Sequence, residues 1–231
     1  MELPQVIYKN HNFLIINKPA GLLVHTSERN GNEEKSLVDW LTANYPEIST
    51  VGDDPVNRPG IVHRLDKDTS GVMLIVLNQK SFEYFKKLFQ EHQVKKTYLA
   101  LVCGAVKDEK GVIDKPIGIK SGTTKRTVHS SKMQKQAVTE YKVVKRLIID
   151  NHDYTLLQVE PKTGRTHQIR VHLASIGYPI AGDKLYGGVK TQLKNLKRQF
   201  LHAQAIEFTA PSGERMKFES ELPEELESLI G

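Results

Sequence analysis

Three times along this chain, two apolar runs suited to β-strands flank a short polar turn. Val6-Ile7-Tyr8 and Phe13-Leu14-Ile15-Ile16 surround Lys9-Asn10-His11-Asn12. Residues 137–147 and 154–159 surround Asp150-Asn151-His152-Asp153, and residues 205–208 and 215–218 surround Pro211-Ser212-Gly213-Glu214. Strands joined by turns this short pair antiparallel, because a parallel partner needs a crossover of roughly a dozen residues or more. Residues 71–77 and 98–103 read as two further strands. Helices are inserted between them: one capped by Ser36 and carrying Leu37, Val38, Leu41 and Tyr45, and one capped by Ser81 with Phe82, Phe85, Leu88 and Phe89 as a core stripe. A third opens at Thr166 and stops at Gly177, and a short acidic helix follows Pro223. Without βαβ alternation, the expected class is α+β, a mixed and mainly antiparallel sheet flanked by helices and loops. No repeat, low-complexity tract or Gly/Ser/Pro-rich linker divides residues 1–231, so one domain is expected.

Composition removes several classes of function. The single cysteine, Cys103, allows no internal disulfide and no zinc site built on paired cysteines, and reads as a buried inert thiol. The longest apolar run, residues 72–77, falls far short of the roughly 20 residues that cross a bilayer. The start, Met-Glu-Leu-Pro-Gln, has no signal-peptide character, so a soluble, cytoplasmic protein with no membrane partner is expected. No Walker loop or dinucleotide fingerprint offers a seat for a nucleotide cofactor. The net charge of +6 is unevenly spread: residues 207–231 carry seven acidic and two basic side chains, and residues 95–146 carry thirteen basic and four acidic ones. A stretch of +9 is either a solvated basic face or a surface for a polyanion, whose binding would weaken steeply with salt.

Two segments are dense in chemistry. Residues 58–71 pack Arg58, His63, Arg64, Asp66, Lys67 and Asp68 between a Pro-Gly break and a buried strand. Charges so close to an apolar strand must be paired or lie in a cleft, where an aspartate can act as nucleophile or general base. Asp68-Thr69-Ser70-Gly71 touches on the aspartic protease loop, but Ser70 interrupts the tripeptide and no second copy exists. The second segment runs from Lys162 to Leu173. Lys162 and Arg165 beside a helix N-terminus suggest a phosphate site, and Arg170 one turn in suits a bidentate pair with a carboxylate. His167 and His172 lack the glutamate and third ligand of a zinc protease, so no metal is expected.

His63-Arg64-Leu65-Asp66-Lys67-Asp68-Thr69-Ser70-Gly71 resembles the signature of the RluA-type RNA pseudouridine synthases. The likeness continues in chain order through Asn17-Lys18-Pro19-Ala20-Gly21-Leu22-Leu23-Val24-His25, the tyrosine-bearing strand from Lys95 to Gly104, and Thr163-Gly164-Arg165-Thr166-His167-Gln168-Ile169-Arg170-Val171-His172-Leu173. Gly182-Asp183-Lys184-Leu185-Tyr186-Gly187 and Leu201-His202-Ala203 complete it, so that it spans about residues 6–220. The resemblance implies a pseudouridine-synthase-type fold with a cleft across the sheet, and cofactor-free isomerisation of uridine in ribosomal or transfer RNA. It assigns Asp66 the carboxylate beside the sugar, Tyr98 the ring stacked on the target base, and Arg170 the cation that orients Asp66. It gives Ile169 an apolar contact with the base, and Arg64 the place vacated when the nucleotide flips out. Some relatives carry an N-terminal S4 domain, for which the first motif leaves no room here. RNA recognition is therefore expected from the catalytic domain, through Arg165 and the basic loop bearing Lys120, Lys125 and Arg126, with the protein acting as a monomer. A non-catalytic RNA-binding or folding factor on the same scaffold is the competing reading, disfavoured by the combination of Asp66, Tyr98 and Arg170.

Overall fold

The computed structural model describes residues 2–25, 35–191 and 193–231. In chain order its strands are β1 (Gln5–Lys9), β2 (Phe13–Lys18), β3 (Ser70–Val76), β4 (Lys95–Cys103), β5 (Lys110–Asp114), β6 (Gly118–Ile119), β7 (Arg126–Thr127), β8 (Val138–Ile149), β9 (His152–Pro161), β10 (Leu201–Thr209) and β11 (Arg215–Glu219). The helices are α1 (Leu37–Asn44), α2 (Gln79–Gln90), α3 (Gln168–Ser175) and α4 (Glu224–Glu227). The chain forms two compact units, residues 1–95 with 205–221, and residues 96–204 with 222–231. Both boundaries in the body of the chain fall at or inside strands, β4 and β10, which is why no linker composition marks them.

In the first unit β1, β2, β3 and β10 lie in that order, with β11 beyond β10. The β1–β2 turn is closed by Asn10, whose Oδ1 accepts the N–H of Asn12 at 2.8 Å and of Phe13 at 2.9 Å. Phe13, Leu14, Ile15 and Ile16 are all 0% exposed, so this strand is covered on both faces and reads as a continuous apolar run. Phe13, Phe85 and Phe208 meet edge-on with centroids 5.2–5.4 Å apart, the preferred arrangement for rings with negative faces and positive edges. Phe82, Phe85 and Leu88 bury the α2 stripe as its spacing predicts. The cap differs by one turn. Asn78 caps α2 through Oδ1 and the Ser81 N–H at 2.9 Å, while the Ser81 hydroxyl donates to Asn12 Oδ1 at 3.1 Å. Helix α1 begins as expected, with Ser36 and Asp39 forming a reciprocal capping box.

In the second unit β4, β9, β8 and β5 pair antiparallel in that order. The β8–β9 hairpin is tighter and longer than expected. Asp150 and Asn151, at φ 50° and 60°, turn the chain in two residues, and His152 already pairs with Ile149. Asparagine and aspartate tolerate this left-handed region better than other side chains, so the turn is written in their identity. Strands β5, β6 and β7 carry no periodic signal long enough to be read from sequence.

Helix α3 starts at Gln168, two residues later than expected, with His167 at φ 56° as an N-cap that makes no side-chain cap bond. The reason is Gln168 itself. Its Oε1 accepts from Arg165 N at 2.9 Å and Thr163 Oγ1 at 2.7 Å, holding residues 163–165 in a turn of their own. Residues Gln168 to Leu173 are all buried, so the helix has no solvent stripe over this length. His172, fully buried, lies 2.8 Å from the Lys115 carbonyl through Nε2 and 2.9 Å from Thr139 Oγ1 through Nδ1. A carbonyl only accepts, so the proton sits on Nε2 and the neutral ring accepts from the Thr139 hydroxyl. Burial pushes this ring below the ordinary histidine pKa, against the pull of the Lys115 carbonyl. The unfolded chain therefore binds the proton more readily, and stability is whole above about pH 6.5 and is lost as pH falls below it. The Tm of the protein should decline between about pH 6.5 and 5, and His172→Gln, which keeps both hydrogen-bonding roles, should flatten that decline. Equal slopes for the two proteins would remove His172 as the cause.

Candidate active site

In the first unit, the loop before β3 carries Asp66. Gly60, at φ +68°, lies so close to the Val76 carbonyl that a Cβ would come within 2.5 Å of it, which presses the start of the loop onto the strand. Leu65 anchors the loop in the core, and Asp66, half-buried, follows it. The Asp66 carbonyl accepts the Thr69 N–H at 3.1 Å. The next carbonyl, that of Lys67, accepts the Gly21 N–H at 2.9 Å and the Lys18 ammonium at 3.1 Å. Lys18 is 0% exposed and also donates to Pro19 O and Leu22 O, each at 2.8 Å. A buried ammonium aimed at three carbonyls thus locks the 17–25 segment to the backbone beside Asp66, a pre-set main chain of the kind a reacting carboxylate needs. Sequence reasoning missed this use of Lys18. The signal was present, since a lysine two residues past a fully apolar run and followed by proline must either reach water or find acceptors.

His63 is structural. Its Nε2 accepts the Leu74 N–H at 2.9 Å and its ring stacks on Phe89 with centroids 4.6 Å apart. Arg64 is exposed, with Nη1 3.4 Å from His25 Nε2. Burial, then the charges of Arg64 and Arg58, lower the His25 pKa, so its neutral ring can accept from the arginine.

In the second unit, register places Tyr98 opposite Val159, and Val159 beside Pro161, the partner of Thr139. These side chains share one face. Helix α3 bonds to Thr139 through Gln168 Nε2 at 3.0 Å and His172, so Tyr98 faces the layer that holds α3 with Ile169 and Arg170. Tyr98, Ile169 and Arg170 are 9%, 5% and 8% exposed. Arg170 makes a bidentate pair with Asp183, Nε to Oδ2 at 2.7 Å and Nη2 to Oδ1 at 3.0 Å. Asp183 Oδ1 also accepts the N–H groups of Leu185 and Tyr186 at 2.9 and 3.1 Å. Burial opposes its ionisation, but the Arg170 hydrogen bonds and charge outweigh that and hold the Asp183 pKa below the usual carboxylate value. The Tyr186 ring lies 5.2 Å from the Arg170 guanidinium carbon, and its hydroxyl lies 2.8 Å from His167 Nδ1. The sequence pointed to a carboxylate for Arg170 but did not single out Asp183 as one, nor Tyr186 as its neighbour.

The remaining expected contacts divide. Lys162 is neutralised by Glu140 at 2.8 Å and Glu160 at 3.4 Å, and Arg165 Nε donates to Gln136 O at 2.9 Å. The helix N-terminus beside which Lys162 and Arg165 were expected to bind phosphate lies two residues further on, at Gln168. Lys120 is exposed, Lys125 donates to the Leu185 carbonyl, and Arg126 donates its backbone N–H to Tyr186 Oη at 3.2 Å. Part of the +9 charge is paired within the protein at its surface: Arg146 holds Glu109 at 2.7 Å and Lys145 holds Ile230 O at 3.0 Å. Among the described residues no helix is long and apolar enough to cross a membrane.

Comparison with known proteins adds a family to this geometry. The RNA pseudouridylate synthase model matches residues 12–175, a span that holds Lys18, Asp66, Tyr98 and Arg170. An "Uncharacterized RNA pseudouridine synthase" of Aquifex aeolicus is 41% identical over 231 residues, 97% of this chain and 71% of its own length. A ribosomal large subunit pseudouridine synthase D of Pseudomonas aeruginosa is 38% identical, covering 96% of this chain and 69% of that protein. The corresponding figures for one from Nitrosomonas europaea are 38%, 98% and 64%. The fold is shared with human RNA pseudouridylate synthase domain containing 1, at a TM-score of 0.79 and 24% identity over 99% of this chain and 88% of that one. Human RNA pseudouridylate synthase domain containing 4 gives 0.71 and 26% over 96% and 90%. A clamped aspartate loop, a buried tyrosine on the face covered by α3 and an anchored arginine all lie inside the matched span, and the chain belongs to the RNA pseudouridylate synthase family, enzymes that convert uridine in RNA to its C-glycoside isomer.

Proposed function

We propose that Asp66 supplies the carboxylate of this reaction on a uridine in large-subunit ribosomal RNA. The observation that carries the first part is the backbone clamp around Asp66, formed by Thr69, Gly21 and the buried Lys18. The names of the relatives from Pseudomonas aeruginosa and Nitrosomonas europaea support the second. In the isomerisation the N1–C1′ bond breaks, the uracil turns, C5 bonds to C1′ and the C5 proton leaves while N1 gains one. Asp66 serves by bonding to C1′ or by taking the 2′ proton to give a glycal, and both routes conserve electrons and need no cofactor. Tyr98 stacks on the base while it turns, Ile169 packs against it, and Arg170, held by Asp183, orients Asp66. Arg64 enters the space left in the RNA by the flipped nucleotide, and Arg165, Lys120, Lys125 and Arg126 contact the RNA backbone. The protein acts as a monomer in the cytoplasm. Tritium release from 5-tritiated uridine in a large-subunit rRNA transcript tests the reading. Release from the rRNA and none from transfer RNA is expected; release from transfer RNA alone would move the substrate, and none from either would remove the activity.

A further inference from the structure

Between the β6–β7 hairpin with its following loop and helix α3, the second unit holds a cleft of about 720 Å³. Its charged lining is cationic throughout: Lys120, Lys125 and Arg126, with His129 beside them and no carboxylate among the described residues. Its apolar part is Val128, Val171 and Ala174. Lys125 is already engaged, by the Leu185 carbonyl and by the Tyr186 ring 5.1 Å away. Arg126 is different. Its Nε is buried and has no hydrogen-bond partner among the described residues. A buried N–H without an acceptor is costly, and an oxygen supplied by a ligand cancels that cost. The walls are already fixed without a ligand, since the Arg126 N–H is tied to Tyr186 Oη at 3.2 Å and Ser130 Oγ to Ile119 O at 2.6 Å. The volume falls within the roughly 300–1,000 Å³ of small-molecule clefts and admits a nucleotide.

We propose that this cleft is a second nucleotide subsite, in which an unpaired nucleotide of the substrate RNA, other than the target uridine, seats its phosphate on Arg126 and its base against Val128 and Ala174. The proposal rests on the synthase reading for the identity of the ligand as RNA. Cations without acids select an anion, an apolar floor selects a flat uncharged group beside it, and a single-stranded nucleotide carries both. A fully paired duplex would offer the phosphate without the base.

Fluorescence anisotropy with hexaadenylate, which contains no uridine to react, tests the cleft directly across a salt series. Arg126→Ala should bind about tenfold more weakly than wild type, with the log–log salt slope reduced by about one. Ser131→Trp, which places an indole at the exposed rim, should weaken binding several-fold without removing a charge. Lys80→Ala, on α2 in the first unit, should bind as wild type does. Wild-type affinity in either Arg126→Ala or Ser131→Trp would overturn the proposal. Displacement of hexaadenylate by hexaglutamate at equal or lower concentration would also overturn it, in favour of an acidic peptide. Tritium release by the wild-type protein, measured in parallel, keeps the two readings separate. Release with Arg126-insensitive adenylate binding sinks the subsite alone, and Arg126-sensitive binding without release sinks the synthase reading.

Discussion

Asp66→Ala is expected to reduce tritium release from uridine-labelled RNA by about 10⁴-fold or more, the scale of loss when a reacting group rather than a binding group is removed. The fold should survive, because Asp66 is half-buried in a loop whose shape is set by main-chain bonds and by Leu65 and Lys18, none of which the substitution touches. RNA affinity should stay within about threefold of wild type, since one carboxylate facing a polyanion contributes little to binding. Asp66→Glu keeps the charge and moves it outward by one methylene. A displacement of about 1 Å at a reacting centre costs on the order of 10²-fold, so this variant should fall between the other two. Release by Asp66→Ala within tenfold of wild type would show that the carboxylate of the reaction lies elsewhere.

The second large effect belongs to Asp183. Its carboxylate is 1% exposed and receives two bonds from Arg170 and two from backbone N–H groups. Asp183→Asn removes the carboxylate from a buried bidentate pair with Arg170, and breaking a buried pair by removing one partner costs about 3–5 kcal/mol. For a chain of this length that corresponds to a Tm lower by roughly 6–20 °C. A melting point within 2 °C of wild type would contradict it. Acid should act in the same direction. The Asp183 pKa is held below the ordinary carboxylate value, so its contribution is whole above that value and is lost as pH falls through the lower, folded one. The double variant Arg170→Met with Asp183→Leu separates stability from catalysis. It removes both charges together and should recover part of the Tm, yet, on the role proposed above for Arg170, release no tritium above background.

Much of this was legible in the residues, for physical reasons that also explain what was not. Long hairpins are written in period and turn identity, so β1–β2, β8–β9 and β10–β11 follow from Asn10, Asp150-Asn151 and Ser212-Gly213 with the apolar runs beside them. Helix α2 was visible in Phe82, Phe85 and Leu88, but its cap was misplaced, because Asn78 and Ser81 are both good caps and only the demand of Asn12 for the Ser81 hydroxyl decides between them. The start of α3 was misplaced because a buried Gln168 reaching backwards outweighs the capping preference of Thr166. Strands β6 and β7, at two residues each, leave no period to read. At the site, Asp66, Tyr98 and Arg170 stood out through motif order. Lys18, Asp183 and Tyr186 did not, because a supporting side chain is defined by what surrounds it and its neighbours come from distant parts of the chain.

The return of residues 205–221 to the first unit sets a timetable for synthesis. Strand β3 needs β10 on its far edge, and Phe208 from β10 completes the ring cluster with Phe13 and Phe85. A ribosome must therefore have made β10, as far as Thr209, before β1, β2 and β3 can close their core. Until then β3 presents a bare apolar edge, seven buried-type residues long, to whatever is near. The second unit has its strands β4, β5, β8 and β9 in hand by residue 161, so the later part of the sequence reaches its pairing first. Premature termination near residue 200 would then yield a product whose N-terminal half is the sticky part, and its handling by chaperones during translation follows from strand order alone.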